Sequence, residues 1–315
     1  MRILVTGGAG FIGSNFVHYM LDSYPDCEVM DLDALTYAGS LANLEGVMDN
    51  PRHRFVQGRI EDGALAGELM KGVDVVVNFA AESHVDRSIL EPQVFIMTNV
   101  LGTQVLLDAA RQNNVGLFYQ VSTDEVYGAL DLNATERFTE DSPLSPNSPY
   151  SASKTAADLL VRAYHRTFDM PVVISRCSNN YGPRQHPEKF LPTVIVNALH
   201  DQPVPIYGDG LYVRDWIHVL DHCRAIDTIM KKGKVGEVYN VGTDNEWANI
   251  ELARKVLQIL GKPEDLLQSV QDRPGHDRRY AIAGGKLERE LNWKPSMPFD
   301  EGLAETVRWY VERQG

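Results

Sequence analysis

Short apolar runs recur through the first half of the chain, each bounded by glycine, polar or turn residues. They fall at Arg2–Val5, Glu28–Leu32, Arg54–Gly58, Val73–Phe79, Leu117–Val121 and Pro171–Arg176. Runs this short and this continuously apolar predict strands buried on both faces, as in a parallel sheet. Between them apolar or small residues come three and four apart, at Asn99–Gln112 and at Ala152–Phe168, where Ala156, Leu159, Leu160 and Ala163 mark one face. Those stretches predict helices, and strands alternating with helices predict an α/β domain. Both helices are more apolar than a solvated face needs, so a subunit interface is expected on them.

After Arg176 the rhythm breaks. Asn179–Pro183 and Pro187–Pro192 interrupt the strand–helix alternation. We therefore expect a boundary near residue 177, with residues 1–177 forming one domain and 178–315 a second, and segments near 213–243 returning to the first. Pro143, Pro146 and Pro149 predict a rigid loop that delivers Tyr150.

Composition narrows the class. Hydrophobic residues make up 43% and charged residues 23%, as in an ordinary globular protein. A net charge of -13 argues against a general nucleic-acid or anionic-membrane binder, though not against a local basic pocket. Cys27, Cys177 and Cys223 are scattered, which predicts reduced thiols, and no apolar run approaches the roughly 20 residues of a membrane span. A strand from Arg2 leaves no room for a signal peptide, so the cytoplasm is the expected location.

The first predicted strand runs into Gly7, Gly10 and Gly13, and a helical pattern follows from Ser14. Glycines there let the backbone approach a pyrophosphate, which meets the amides and positive end of the helix. The next strand ends at Asp33, 20 residues after Gly13. An acid at that place accepts hydrogen bonds from a ribose hydroxyl and repels a 2′-phosphate, and no cation follows, so NAD is expected over NADP. Arg59–Asp62 mark the edge of the adenine pocket, and small Ala80 and Ala81 let a cofactor lie against the sheet. The expected fold is a Rossmann-type doubly wound parallel sheet with a smaller mixed α/β C-terminal substrate domain.

The polar stretch Ser122–Gly128 follows a strand, where open α/β sheets bind ligands. Tyr150 and Lys154 stand one helical turn apart and suit oxidation of an alcohol, the ammonium lowering the phenol pKa. Asp124 and Glu125 suit an acid/base pair, or else a cap and a solvated side chain. His84 is read either as a structural histidine or as a ligand contact. Lys189, Arg214, Arg273, His276, Arg278 and Arg279 sit in loops of an otherwise acidic chain and suit a diphosphate. His218 and His222 are four apart but lack a third ligand nearby, so no metal is expected.

Thr6–Gly13, Ala80–Ser88, Ser122–Gly128, Tyr150–Lys154, Ser178–Pro183, Pro187–Pro192 and Asp272–Arg279 together resemble the extended short-chain dehydrogenase/reductase family. More narrowly the chain is similar to its members that dehydrate dTDP-glucose. The resemblance implies an NAD-dependent hydro-lyase and a homodimer paired through a four-helix interface. Tyr150, with Lys154 and Thr123, would oxidise the sugar at carbon 4. Glu125 would remove the carbon-5 proton and Asp124 would protonate the leaving carbon-6 hydroxyl. Phe11, Ile12, Asp33, Ala34, Leu35, Thr36, Ile60, Ala80, Ala81, Glu82, Ser83, Thr98 and Asn180 match NAD-site positions. His84, Asn179, Lys189, Phe190, Pro205, Ile206, Tyr207, Arg214, Asn249, Asp272, Arg273 and His276 match positions that hold the nucleotide-sugar. Arg59 departs, standing where relatives carry an aspartate at adenine, and Phe190 replaces a commoner leucine. Rival readings are a UDP- or GDP-linked dehydratase, a 4-epimerase on the same fold, and an NAD-sensing module without activity. The last two have no need of both Asp124 and Glu125.

Overall fold

The computed structural model describes residues 1–314. Its strands are β1 (Arg2–Thr6), β2 (Glu28–Asp33), β3 (His53–Gln57), β4 (Val75–Asn78), β5 (Leu117–Thr123), β6 (Val172–Cys177), β7 (Asn179–Tyr181), β8 (Val204–Tyr207), β9 (Val213–His218), β10 (Val238–Val241), β11 (Glu246–Ala248) and β12 (Leu267–Val270). Its α-helices are α1 (Phe11–Ser23), α2 (Gly63–Leu69), α3 (Val85–Leu90), α4 (Pro92–Phe95), α5 (Thr103–Gln112), α6 (Pro149–Phe168), α7 (Phe190–Leu199), α8 (Val219–Lys232), α9 (Asn249–Leu260), α10 (Gly285–Leu291) and α11 (Phe299–Gln314).

Seven strands form one sheet in the order β10-β6-β5-β4-β1-β2-β3, and every pairing in it is parallel. Side chains of successive strand residues leave opposite faces, which explains the continuously apolar runs. Ile3 and Val5 of β1 enter one core with α1, α8 and α10, through residues such as Phe16, Ile226 and Leu287. Leu4 enters the other, with α2, α5 and α6, through Leu69, Leu106 and Val161. The sheet is thus covered on both faces, and the order reverses between β1 and β4, where such folds open a crevice.

A second unit packs β8 with β12 and β7, β9 and β11 against α7, α9 and α11, around Leu191, Ile206, Trp216, Leu252 and Leu303. Of the stretch expected to return near 213–243, α8 and β10 join the first core or sheet, while β9 lies in the small three-stranded sheet. Leu287, Leu291 and Trp293 also pack into the first core, from a stretch the sequence pattern did not flag. No helix among the described residues is long and apolar enough to cross a membrane.

Candidate active site

β5 runs to Thr123, two residues past the apolar run, and the chain then closes one 3-10 turn over Asp124–Tyr127. The Thr123 hydroxyl accepts the Glu125 amide at 3.3 Å and donates to the Asp124 carboxylate at 3.3 Å. Asp124 is 2% exposed, and its Oδ2 has no partner. Burial pushes its carboxyl well above the ordinary value, and the Glu125 and Asp215 carboxylates push the same way against Arg214. Burial raises Glu125 too, but Arg214, Arg273 and Lys189 pull against it. Two adjacent carboxyls therefore stand in different electrostatic company, which separates their affinities for a proton.

The helix carrying Tyr150 begins earlier than its apolar spacing shows. Ser148 caps α6 by accepting the Ser151 amide at 3.0 Å, Ser151 answers with its hydroxyl on the Ser148 amide at 3.0 Å, and Pro149 fills the first helical position. Tyr150 and Lys154 are both buried against β5. Lys154 Nζ donates to the Val121 carbonyl at 2.8 Å, and burial lowers its pKa. Tyr150 departs from expectation. Burial and the Glu125 charge raise its pKa well above the ordinary phenol value, and only the Thr123 hydroxyl among its neighbours lowers it. Lys154, whose Nζ is turned to the Val121 carbonyl, is not among the groups that lower it.

These groups share one cleft with the glycine-rich turn, lined among others by Gly7, Gly10, Phe11, Ile12, Gly13, Asp33, Ala34 and Thr36. Arg59, Ile60, Ala80, Ala81, Glu82, Ser83, Thr98, Asn179, Asn180 and Lys189 continue its walls. α1 starts at Phe11, so Gly13 lies inside its first turn, where a Cβ would run into the Gly7 carbonyl. A Cβ on Gly7, whose φ is 75°, would lie 2.7 Å from the Ala80 amide nitrogen. Gly10 caps α1 without a side chain, which leaves first-turn amides facing the cleft, as a pyrophosphate requires. Asp33 accepts the Ala9 amide at 2.9 Å and the Leu35 amide at 2.7 Å, so its carboxylate is held rigidly at the cleft wall. The Leu35 side chain packs into the first core instead of the cleft. The Thr98 hydroxyl donates to Glu61 at 2.9 Å on the wall beside exposed Arg59.

The residues matched to a nucleotide-sugar are gathered less tightly. Lys189 Nζ reaches the Ser83 carbonyl at 2.9 Å across the cleft. Arg214 lies 4.3 Å over the Tyr280 ring, and its guanidinium donates to the Val213 carbonyl at 2.8 Å and the Asp277 carbonyl at 2.9 Å. Arg273 approaches Asp86 at 3.5 Å. Asp272 accepts His276 Nδ1 at 2.8 Å and the Tyr212 hydroxyl, and His276 stacks on Tyr212 at 3.6 Å. Tyr207 meets His276 edge-on, while Pro205 precedes Tyr207 by two residues on the same face of β8 and Asn249 opens α9 with Oδ1 unpartnered. Ile206 buries its side chain in the C-terminal core, and Phe190 packs partly against it. His84 caps α3 through Nδ1, accepting the Arg87 amide at 3.3 Å, and Nε2 lies 3.8 Å from Glu188.

Two members of the cationic set do not converge. Arg278 makes two bonds to Asp209, at 2.9 and 2.8 Å, and Arg279 pairs with Glu246 at 2.7 and 3.0 Å. Loop position put them near the others in sequence, but each found a carboxylate on its own side. His218 caps α8, and His222 Nδ1 lies 2.9 Å from Asn180 Oδ1, so neither faces a common point. The cleft also takes in Cys177, Gln185 and His186, which sequence reasoning passed over, and Glu61, Ser122 and Ser178, which fall within stretches it marked without being singled out. Ser122, Cys177 and Ser178 stand at carboxyl ends of β5 and β6, a position readable in advance. Gln185 and His186 arrive on an irregular strap with no such signal.

The sequence model of the GDP-mannose 4,6 dehydratase family matches residues 4–306. The chain belongs to that family. It is 53% identical to the low-salt glycan biosynthesis protein Agl12 of Haloferax volcanii, over 99% of each chain. It is 52% identical to a dTDP-glucose 4,6-dehydratase of Xanthomonas campestris pv. campestris, covering 99% of this chain and 93% of that one. The structure of DesIV, a dTDP-glucose 4,6-dehydratase from Streptomyces venezuelae with NAD and TYD bound, superimposes with a TM-score of 0.97 at 53% identity, covering 100% of this chain and 98% of that one.

Proposed function

We propose that the chain is a dTDP-glucose 4,6-dehydratase that forms dTDP-4-keto-6-deoxyglucose on a bound NAD. The observation that carries this reading is the convergence of Asp124, Glu125, Tyr150 and Lys154 on the cleft that holds the glycine-rich turn. NAD, held by Gly7, Gly10, Gly13 and Asp33 along the cleft, would supply both hydride acceptor and hydride donor, so the reaction has no net redox change.

The chain's residues do the rest. Tyr150, once ionised against the burial and the Glu125 charge that raise its pKa, takes the proton of the carbon-4 hydroxyl, with Thr123 beside its phenol and Lys154 anchored below it on the Val121 carbonyl. The carbon-4 ketone acidifies the carbon-5 proton, which Glu125 removes; the cations around Glu125 favour its ionised form. Asp124, buried and next to other carboxylates, keeps its proton and delivers it to the carbon-6 hydroxyl as that leaves as water. Lys189, Arg214 and Arg273 hold the diphosphate, and Asn179, Asn249, Tyr207 and His276 frame the rest of the nucleotide-sugar.

The chain acts as a cytoplasmic homodimer. Ile96, Met97 and Leu101 on the π-helical stretch between α4 and α5, and Leu159 on α6, are exposed apolar side chains on helices that pack side by side. A solvated surface does not keep such a set without a partner. Its three cysteines are free thiols, which suits a reducing compartment.

Incubation of the purified protein with dTDP-glucose, followed by mass spectrometry, tests the activity. Loss of one water from dTDP-glucose, faster than from UDP-glucose or GDP-mannose, is the expected result. Epimerisation without loss of water would refute it.

A further inference from the structure

Beneath the catalytic turn, away from the cleft, one buried arginine touches both elements that carry the chemistry. Arg176 lies on β6, in register with Ser122 of β5 on one side and Asn240 of β10 on the other. Its Nε donates to Asp158 at 2.9 Å, and a terminal nitrogen donates to the Tyr127 hydroxyl at 2.9 Å. The guanidinium also lies 4.9 Å over the Tyr127 ring. The Tyr127 hydroxyl in turn donates to Asn240 Oδ1 at 2.8 Å, and its ring stacks on Phe138. All four polar residues are buried.

Placement gives this chain of bonds its meaning. Asp158 stands four residues beyond Lys154 on α6, directly below it on the same face. Tyr127 closes the 3-10 turn that carries Asp124 and Glu125. None of Asp158, Arg176, Tyr127 and Asn240 lines the cleft, so none can touch substrate. A buried ion pair adds little stability over apolar packing of the same volume, but its fixed geometry restricts how two elements sit together.

We propose that Arg176 is a positioning residue, which locks α6, with Tyr150 and Lys154, to the turn that carries Asp124 and Glu125. The inference rests on the function proposed above, in which both elements act on neighbouring carbons of one sugar. Oxidation at carbon 4 needs the helix, and elimination across carbons 5 and 6 needs the turn. A small slip between them leaves each group intact but spoils one pose for both.

Two variants break the link at different points. Tyr127→Phe removes the hydroxyl and keeps the ring on Phe138; Arg176→Lys keeps the charge beside Asp158 but cannot reach both partners. Each is assayed with dTDP-glucose beside the wild type, with a thermal melt of each protein. Turnover should fall about 10-fold to 100-fold in both, with KM within about twofold of wild type. Absorbance of reduced cofactor should build up during turnover, as elimination lags oxidation. The double variant should be no slower than the slower single one, because both cut the same link. If melting falls but turnover and cofactor absorbance stay at wild-type values, the residue is merely structural and the proposal is overturned. Should Arg176→Lys not fold, Tyr127→Phe decides alone. A wild-type protein that does not dehydrate dTDP-glucose overturns both readings together, whereas unchanged variants of a dehydrating wild type overturn this one only.

Discussion

At Asp33 the carboxylate has two duties. Its oxygens hold the Ala9 and Leu35 amides, and the group lies on the cleft wall where a ribose would meet it. Asp33→Ala should weaken NAD binding and narrow the preference over NADP, because the repulsion of a 2′-phosphate goes with the charge. Calorimetric titration with each cofactor measures both, and a wild type that binds NADP as well as NAD would contradict the role. His222 gives a pH prediction. It is fully buried with one partner, Asn180, and burial pushes its pKa down to about 3. The folded protein therefore keeps it neutral while the unfolded chain protonates it near 6.5, so stability is lost as pH falls from about 6.5 toward 3. Urea midpoints across that window should drop, and less steeply in His222→Gln. Much of the site was legible at this scale. The Asp–Glu pair, the Tyr–Lys pair and the three glycines are defined by residue type and spacing alone. The direction of the Tyr150 pKa was not, because it depends on how deeply the ring is buried, a tertiary quantity.

Helix α6 is the element on which the oxidation depends. Its first turn carries Tyr150, and that turn is closed by the Ser148–Ser151 capping box. Ser148→Ala should cost about 0.5–2 kcal/mol of stability and fray the turn that holds the phenol. A urea melt and a turnover assay should therefore both fall, and a melt that falls with full activity would dissociate the cap from the site. At the glycine-rich turn, Gly13→Ala should abolish NAD binding while the fold survives, since the added Cβ meets the Gly7 carbonyl. Element types were readable where the apolar period was strong, but ends were not. α1 and α6 begin three residues before the starts read from their periodicity, because a glycine turn and a capping box, not the apolar spacing, set where each helix begins. The π-helical stretch Ile96–Gly102, which takes the place of the first four residues of the helix expected at Asn99–Gln112, has no periodic signature at all.

For the whole molecule, the alternation of strands and helices sufficed to read a doubly wound sheet. The C-terminal half resisted for a physical reason: β7, β8, β9, β11 and β12 are three to six residues long and pair with strands distant in sequence. Local pattern cannot specify such partners. Nor could it show that Leu287 and Trp293 go back to the first core. Both halves nonetheless meet over Glu125, where Lys189, Arg214 and Arg273 oppose its burial. The exposed apolar side chains on the α5 and α6 side predict a dimer, and light scattering that reports a monomer at micromolar concentration would contradict it. The central claim is that Asp124 and Glu125 carry out an elimination that Tyr150 and Lys154 make possible. The rate of water loss from dTDP-glucose, measured by mass spectrometry for wild type, Asp124→Asn and Glu125→Gln, tests it most directly. Each variant should be slower by roughly 10²–10⁴-fold while still reducing its cofactor on mixing with substrate. Two variants that dehydrate at the wild-type rate would contradict the account.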